Sequence, residues 1–231
     1  MKTIGLLGGM SWESTLNYYK AINQGVKAEL GGLNSAQILL YSVNFDHIEK
    51  LQRAGEWQQM GDMLSKSAKD LEAAGANCLL ICTNTMHKVA HQIEQQIHIP
   101  LLHIADATAA HLINDGVSCV GLLGTGFTME QGFYKNRLTE KFGIQVLVPN
   151  EDDRAYVHRV IYNELCLGEI NAQSKERYLN IINKLYRQGA QAIILGCTEI
   201  ALLVSQNDTD IPLYDTTAIH ADAAVKFALK P

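Results

Sequence analysis

The sequence has no excess of positive charge. Its 231 residues carry 19 Lys and Arg against 24 Asp and Glu, a formal net charge of −5, and no Lys/Arg run interrupts the balance. This removes the electrostatic case for a nucleic acid or an anionic membrane as partner. No apolar run approaches the roughly 18–20 residues of a membrane span. The opening stretch MKTIGLLGGM is apolar too briefly for a signal segment and breaks at Gly8-Gly9, so it reads as a first strand. The five cysteines (Cys78, Cys82, Cys119, Cys166 and Cys197) are odd in number and contain no CxxC. A disulfide framework is therefore not expected, and a reducing cytoplasm fits. His87 and His91 are spaced i,i+4, but no HExxH glutamate and no third ligand accompany them, so no metal is expected. A pyridoxal phosphate motif, a complete phosphate loop and a GxGxxG pattern are also missing, and no cofactor is expected.

What is present is a globular composition, 47% apolar and 19% charged, in a chain long enough for one large core or two ordinary ones. One stretch occurs twice. Gly75 to Asn84 reads GANCLLICTN, and Gly189 to Thr198 reads GAQAIILGCT. Aligned without a gap, Gly-Ala falls on Gly-Ala, one apolar run on another, and Thr83 on Cys197. Ile4-Gly5-Leu6-Leu7-Gly8-Gly9 is echoed by Val120-Gly121-Leu122-Leu123-Gly124-Thr125, and Ile99-Pro100-Leu101 by Ile211-Pro212-Leu213. The three pairs are offset by 116, 114 and 112 residues. The expected architecture is α/β: two pseudo-symmetric domains from an internal duplication, each a parallel sheet flanked by helices. The first domain takes residues 1–105 plus about 217–231, the second 106–216.

Residues 3–7 read as a buried parallel strand. Ser11 suits the N-cap of a helix over 12–30, with Tyr18, Ile22 and Val26 on one face. A strand over 37–43, a polar helix-compatible segment over 44–55 and an amphipathic helix over 56–74 follow. Residues 85–96 read as a helix and 99–102 as a short strand. In the second half, a strand over 120–125 leads into a helix through Met129 and Phe133. A strand over 144–148 and helices over 155–167 and 174–188 come next. The closing helix, about 217–229, is expected to pack back on the first domain. Ligands of open α/β sheets bind beyond the strand C-termini. Gly8-Gly9, Thr83 and Cys197 all fall there, and the active site is expected in the cleft between the domains. Gly8-Gly9 ahead of a helix is also a natural anion site.

Two equivalent loops facing one substrate are what racemisation needs: a base removes a proton from one face of a carbon acid, and an acid returns one to the other. A cysteine thiolate does this when a helix N-terminus or nearby donors lower its pKa. Thr198-Glu199 after Cys197 has the look of a helix start. Glu199 suits either capping that helix or orienting the thiol.

Leu7-Gly8-Gly9-Met10, Thr83-Asn84-Thr85-Met86-His87 and Gly196-Cys197-Thr198-Glu199 resemble, in order and over essentially the whole chain, the motifs of the pyridoxal-independent aspartate/glutamate racemases. The resemblance implies two domains related by a pseudo-twofold, a small amino-acid substrate, no cofactor and a homodimer. It makes Cys197 the catalytic cysteine facing the L-enantiomer's Cα–H, and puts Thr83 where the family has its other cysteine. Asn84, Thr85 and Thr198 match positions that hold the substrate's carboxylate and ammonium. Met10, Ser11 and Thr125 match loop positions lining the same site, and Gln52 is a further candidate.

Two departures stand out. Thr83 replaces a cysteine, in a Thr-Asn-Thr pattern shared with a subgroup of the family, and a hydroxyl is too weak an acid to serve as a base near neutral pH. His87, about one helical turn later, is the candidate relay; Cys82 is adjacent, but strand neighbours point to opposite faces. His47 and Cys166 fall where aspartate-specific members carry an Arg and a Lys, with Arg53 nearby, so a broad-specificity amino-acid racemase is a second reading. A single-cysteine decarboxylase or isomerase of the same superfamily, and a non-catalytic amino-acid-binding protein, are the others.

Overall fold

Every strand of the protein lies beside a parallel neighbour, in one of two separate sheets. The structure is a computed structural model, and it describes residues 1–230. The chain divides into two compact units: Met1–Ile104 together with the chain from Thr217 onward, and Ala105–Thr216.

Unit 1 opens with β1 (Ile4–Gly8), α1 (Trp12–Leu30), β2 (Ile38–Ser42), α2 (Phe45–Ala54), α3 (Trp57–Ala73) and β3 (Cys78–Ile81). The sheet order is β2-β1-β3. Alternation along the strands sorts side chains to two faces. Ile4, Leu6, Cys78, Leu80 and Cys82 face one core with Tyr18, Ile22 and Val26 of α1. Leu7, Leu79 and Ile81 face the other, with Met60, Leu64, Ala68 and Leu71 of α3. Ser11 caps α1 by accepting from the Ser14 N–H, and Asn44 caps α2 by accepting from that of Asp46.

After β3 the chain takes a 3-10 turn, Thr85–Val89, and only then α4 (Ala90–Glu94), where the sequence suggested one continuous helix. The strand expected over 99–102 is reduced to a single parallel bridge, Leu79 to Leu101. The ladder stops on its far side, where the Leu102 carbonyl is taken by Nε2 of a buried histidine, His220, and the next helix begins at Ile104; Pro212 at the matching place in the other sheet is followed by a three-residue strand.

From Ala105 on, unit 2 contains the rest of α5 (Ile104–Asn114), β4 (Cys119–Gly124), α6 (Gly126–Glu130), α7 (Gly132–Phe142), β5 (Gln145–Leu147), α8 (Glu151–Asn163), α9 (Ala172–Arg187), β6 (Ala192–Gly196), α10 (Ile200–Leu203) and β7 (Leu213–Asp215). Its order is β5-β4-β6-β7. The first three strands repeat the β2-β1-β3 arrangement, as the sequence repeat requires. The helix α8 starts four residues earlier than the apolar pattern suggested because Asn150 caps it, accepting from the Asp153 N–H. Residues Leu165–Leu167 form a separate 3-10 turn. The helix α5 has no counterpart in the sequence reading; its buried stripe is Ile104, Ala105, Thr108, Ala109 and Leu112.

The last helix, α11 (Thr216–Leu229), returns to unit 1 and lays Ala221, Ala224, Val225 and Ala228 against Tyr18, Ile22 and Val26. Among the described residues, no helix is long and apolar enough to cross a membrane. Among them, too, no group of His, Cys, Asp or Glu could hold a metal ion.

Candidate active site

In unit 2 the functional side chains stand at the ends of β4 and β6. The two strands close tightly there: a Cβ on Gly196 would meet the Leu123 carbonyl at 2.8 Å, and one on Gly124 would meet the Gly196 carbonyl at 2.9 Å. Cys197, directly beyond β6, is 9% exposed. Its Sγ–H donates to Oε2 of Glu199 at 3.0 Å. The same oxygen accepts from the Thr198 hydroxyl at 2.8 Å. Thr198 and Glu199 are both buried. The carboxylate therefore orients the thiol rather than capping α10, where it makes no side-chain cap bond.

This geometry corrects the expectation of a lowered thiol pKa. The Cys197 pKa is raised well above its ordinary value, first by desolvation and then by the charge of Glu199, with Cys166 and the Glu199 hydrogen bond adding to the rise. The helix after it has only four residues (Ile200–Leu203), too short to supply a strong N-terminal field. The resting group is a thiol, with a carboxylate oxygen in position to take its proton. Cys166 lies in the 3-10 turn after α8, partly buried, and interacts electrostatically with Cys197. Thr125, at the end of β4, caps α6 by accepting from the Thr128 N–H at 3.3 Å.

In unit 1 the corresponding tip carries Thr83, Asn84 and Thr85. Thr83 is partly exposed, and Asn84 and Thr85 are buried. No described residue hydrogen-bonds the Thr83 hydroxyl; its backbone is the held part, with N–H to the Ile81 carbonyl at 2.8 Å. His87 is buried and uses both ring nitrogens on backbone: Nδ1 to the Thr83 carbonyl at 2.8 Å, and Nε2 to the Ile104 N–H at 3.2 Å. A relay from His87 to the Thr83 hydroxyl is thus not what the ring is placed for. Cys82 faces the α1 and α11 core, and burial pushes its thiol pKa up.

Met10 and Ser11 are buried just beyond β1. The turn there is tight: Gly9 has φ +87°, and a Cβ on it would meet the Val43 carbonyl at 2.4 Å. The anion site expected at this turn is occupied from within. The Gly9 N–H donates to Thr15 Oγ1 at 2.8 Å, and the Ser14 N–H to Ser11 Oγ at 3.3 Å. Gln52, on α2, is 4% exposed, and its Oε1 is buried with no hydrogen-bond partner among the described residues. Such an acceptor is costly unless something donates to it. His47 is exposed on the same helix. Glu199 as the partner of the thiol was one of two readings open in the sequence; the backbone role of His87 was not legible there, because its second partner is seventeen residues away.

Comparison with known proteins follows the same lines. The family model for Asp/Glu/hydantoin racemases matches residues 7–224. The solved structure of a candidate Asp/Glu racemase from Yersinia pestis is 57% identical, covers 100% of both chains and superposes with a TM-score of 0.93. That of an aspartate racemase homologue from Pyrococcus horikoshii OT3 is 34% identical, again over 100% of both chains, with a TM-score of 0.87. The broad specificity amino-acid racemase RacX of Bacillus subtilis is 23% identical over 226 residues, 96% of each chain.

Proposed function

Since the chain belongs to the Asp/Glu/hydantoin racemase family, and is an isomerase that racemises amino acids, we propose that it interconverts L- and D-aspartate or glutamate without a cofactor. Cys197 exchanges the proton on one face of Cα, and the Thr83 tip serves the other. The observation that carries this reading is the hydrogen bond from the Cys197 thiol to Glu199. The thiol is ready to give a proton, and when the carboxylate withdraws its hydrogen, the thiolate is ready to take one.

Asn84, Thr85 and Thr198 are the groups this reading assigns to the substrate's carboxylate and ammonium, and Met10, Ser11 and Thr125 are its lining positions. The unsatisfied amide oxygen of Gln52 suits the substrate ammonium. Among the described residues no protein base is hydrogen-bonded to the Thr83 hydroxyl, so on this face a water held by that hydroxyl carries the proton to Cα in one direction and away from it in the other. Enantiomers have equal free energy, so kcat/KM is the same in both directions, however unlike the two tips are.

Nuclear magnetic resonance of separate L- and D-aspartate and glutamate in deuterated water tests the proposal. Exchange of the α-proton with inversion, lost in Cys197→Ser, is the expected result. Exchange with retention would mean that Cys197 works alone. Folded protein that exchanges none of these substrates would sink the aspartate/glutamate reading. Carbon dioxide released from a malonate-type acid would mark a decarboxylase, and ligand-induced stabilisation without turnover a binding protein.

A broader substrate range is favoured by the match to RacX along nearly the whole chain, and by the family resemblance, which puts His47 and Cys166 where aspartate-specific members carry a charged clamp for a distal carboxylate. A panel of neutral amino acids in the same assay decides it. The assembly is proposed to be a homodimer that covers Trp12, Leu16 and Tyr19, an exposed apolar stripe along α1 with Trp12 64% accessible. Sedimentation velocity of wild type and Leu16→Glu checks this. The five free cysteines fit a cytoplasmic location.

A further inference from the structure

Residues 102–104, which lead into α5, are held at three points inside unit 1. The Leu102 N–H donates to the Leu79 carbonyl at 2.9 Å. The Leu102 carbonyl faces Nε2 of His220 at 2.6 Å. The Ile104 N–H faces Nε2 of His87 at 3.2 Å. The two histidines come from distant places in the chain, the turn after β3 and α11, and both are buried.

Their partners fix their protons. A carbonyl only accepts, so His220 carries hydrogen on Nε2, and its Nδ1 takes the hydrogen of the Tyr18 hydroxyl at 2.9 Å. An amide N–H only donates, so Nε2 of His87 presents a lone pair. The His87 hydrogen is then on Nδ1, donated to the Thr83 carbonyl at 2.8 Å. Both rings are neutral, in opposite tautomers. They pack with centroids 5.9 Å apart, and His103 lies 4.5 Å from His87 on centroids, so neighbours hold the His87 ring in place.

One rigid imidazole thus spans the Thr83 carbonyl and the first amide of α5. We propose that His87 is a positioning residue of the racemase, setting where the Thr83 tip stands, with His220 securing the far end of the same three-residue strap. The kinetic half of this proposal rests on the racemase reading; the placement of the strap does not. His87 touches no reacting atom in this role. It acts through the backbone of Thr83, so its removal changes turnover more than substrate affinity.

Two variants separate its two bonds. In His87→Asn, a side-chain amide N–H can still reach the Thr83 carbonyl while the acceptor for Ile104 is lost. In His87→Gln, the amide oxygen sits near the former Nε2 and the donor to Thr83 is lost. With both folded by circular dichroism, His87→Gln is expected to lower kcat about tenfold with KM within about threefold. His87→Asn keeps kcat within about threefold of wild type and speeds hydrogen exchange of the Ile104 amide. Long-range proton–nitrogen correlation spectra of the wild type should show His87 protonated at Nδ1 and His220 at Nε2 near neutral pH.

A His87 ring protonated at Nε2, or a folded His87→Gln variant with wild-type kcat, would overturn the proposal. If the wild type exchanges no substrate α-proton, the racemase reading fails separately. The proposal is then decided by the carbonyl shift of Thr83 and the amide shift of Ile104, which must move in His87→Gln and His87→Asn respectively. Unmoved shifts overturn it.

Discussion

Glu199 Oε2 accepts a hydrogen bond from Cys197 Sγ at 3.0 Å and another from the Thr198 hydroxyl at 2.8 Å. The thiol thus sits beside a negative charge, in a place with little water. Both effects oppose the thiolate, and the pair works only if the carboxylate accepts the proton it is already bonded to.

Replacing Glu199 by Gln removes the charge and keeps the shape. Racemisation should fall by about two to four orders of magnitude, the range for a lost general base. The Cys197 pKa should move down, because a neighbouring anion no longer opposes the thiolate. The pH dependence of iodoacetamide labelling checks the sign: the alkylation limb shifts to lower pH in Glu199→Gln. A shift to higher pH would contradict the assigned electrostatics.

His220 gives the fold an acid limit. It is fully buried, and desolvation lowers its pKa from the ordinary 6.5 to about 4, against a smaller rise from the Leu102 carbonyl. Its folded pKa is below its unfolded one, so the unfolded chain binds more protons in the window between them. Stability therefore falls as pH drops from about 6.5 to about 4, by on the order of 3 kcal/mol in total. Urea unfolding across that window should show the slope, and His220→Gln should flatten it while lowering stability near neutral pH.

Cys82 is buried in the core against α1 and α11, whereas its neighbour Thr83 is partly exposed. Cys82→Ala is expected to cost about 1 kcal/mol of stability, as a small deletion in a packed core, and to leave kcat and KM unchanged. Loss of racemisation in a folded Cys82→Ala variant would show that the thiol reaches the substrate. Thr83→Cys should supply an ionisable group at the tip and retain α-proton exchange.

Gln52 exchanges stability for binding. Its amide oxygen is buried without a partner, so Gln52→Leu should raise the thermal midpoint of the empty protein, by the equivalent of about 1 kcal/mol. The same change should raise KM with little effect on kcat. Thermal unfolding and steady-state kinetics on one preparation test both halves.

The elements legible in the sequence were those with local causes. The apolar run before Gly8, the Ser11 cap and the Tyr18–Ile22–Val26 spacing give β1 and α1 directly. The repeated segments point to two like units with parallel sheets, while the strand order the sheets share is seen only in the structure. Helix α5 is not legible because two alanines and a threonine leave its buried stripe only two large apolar residues, Ile104 and Leu112. The 99–102 strand is cut to one bridge because the Leu102 carbonyl goes to His220 and α5 starts at Ile104. At the site, residue types and their places at strand ends were legible. The direction of the Cys197 pKa was not, since it depends on burial and on how the chain folds Glu199 back onto the thiol. Nor were the His220 partners, Tyr18 and Leu102, which lie 202 and 118 residues away.

The return of α11 sets an order on synthesis. Unit 2 is one continuous stretch, complete once Thr216 has left the ribosome. Unit 1 begins first but finishes last, because the core that Tyr18, Ile22 and Val26 of α1 build on its sheet stays open on one flank until Ala221, Ala224, Val225 and Ala228 emerge. The older half of the nascent chain therefore waits, with an open apolar face, for the youngest helix to close it.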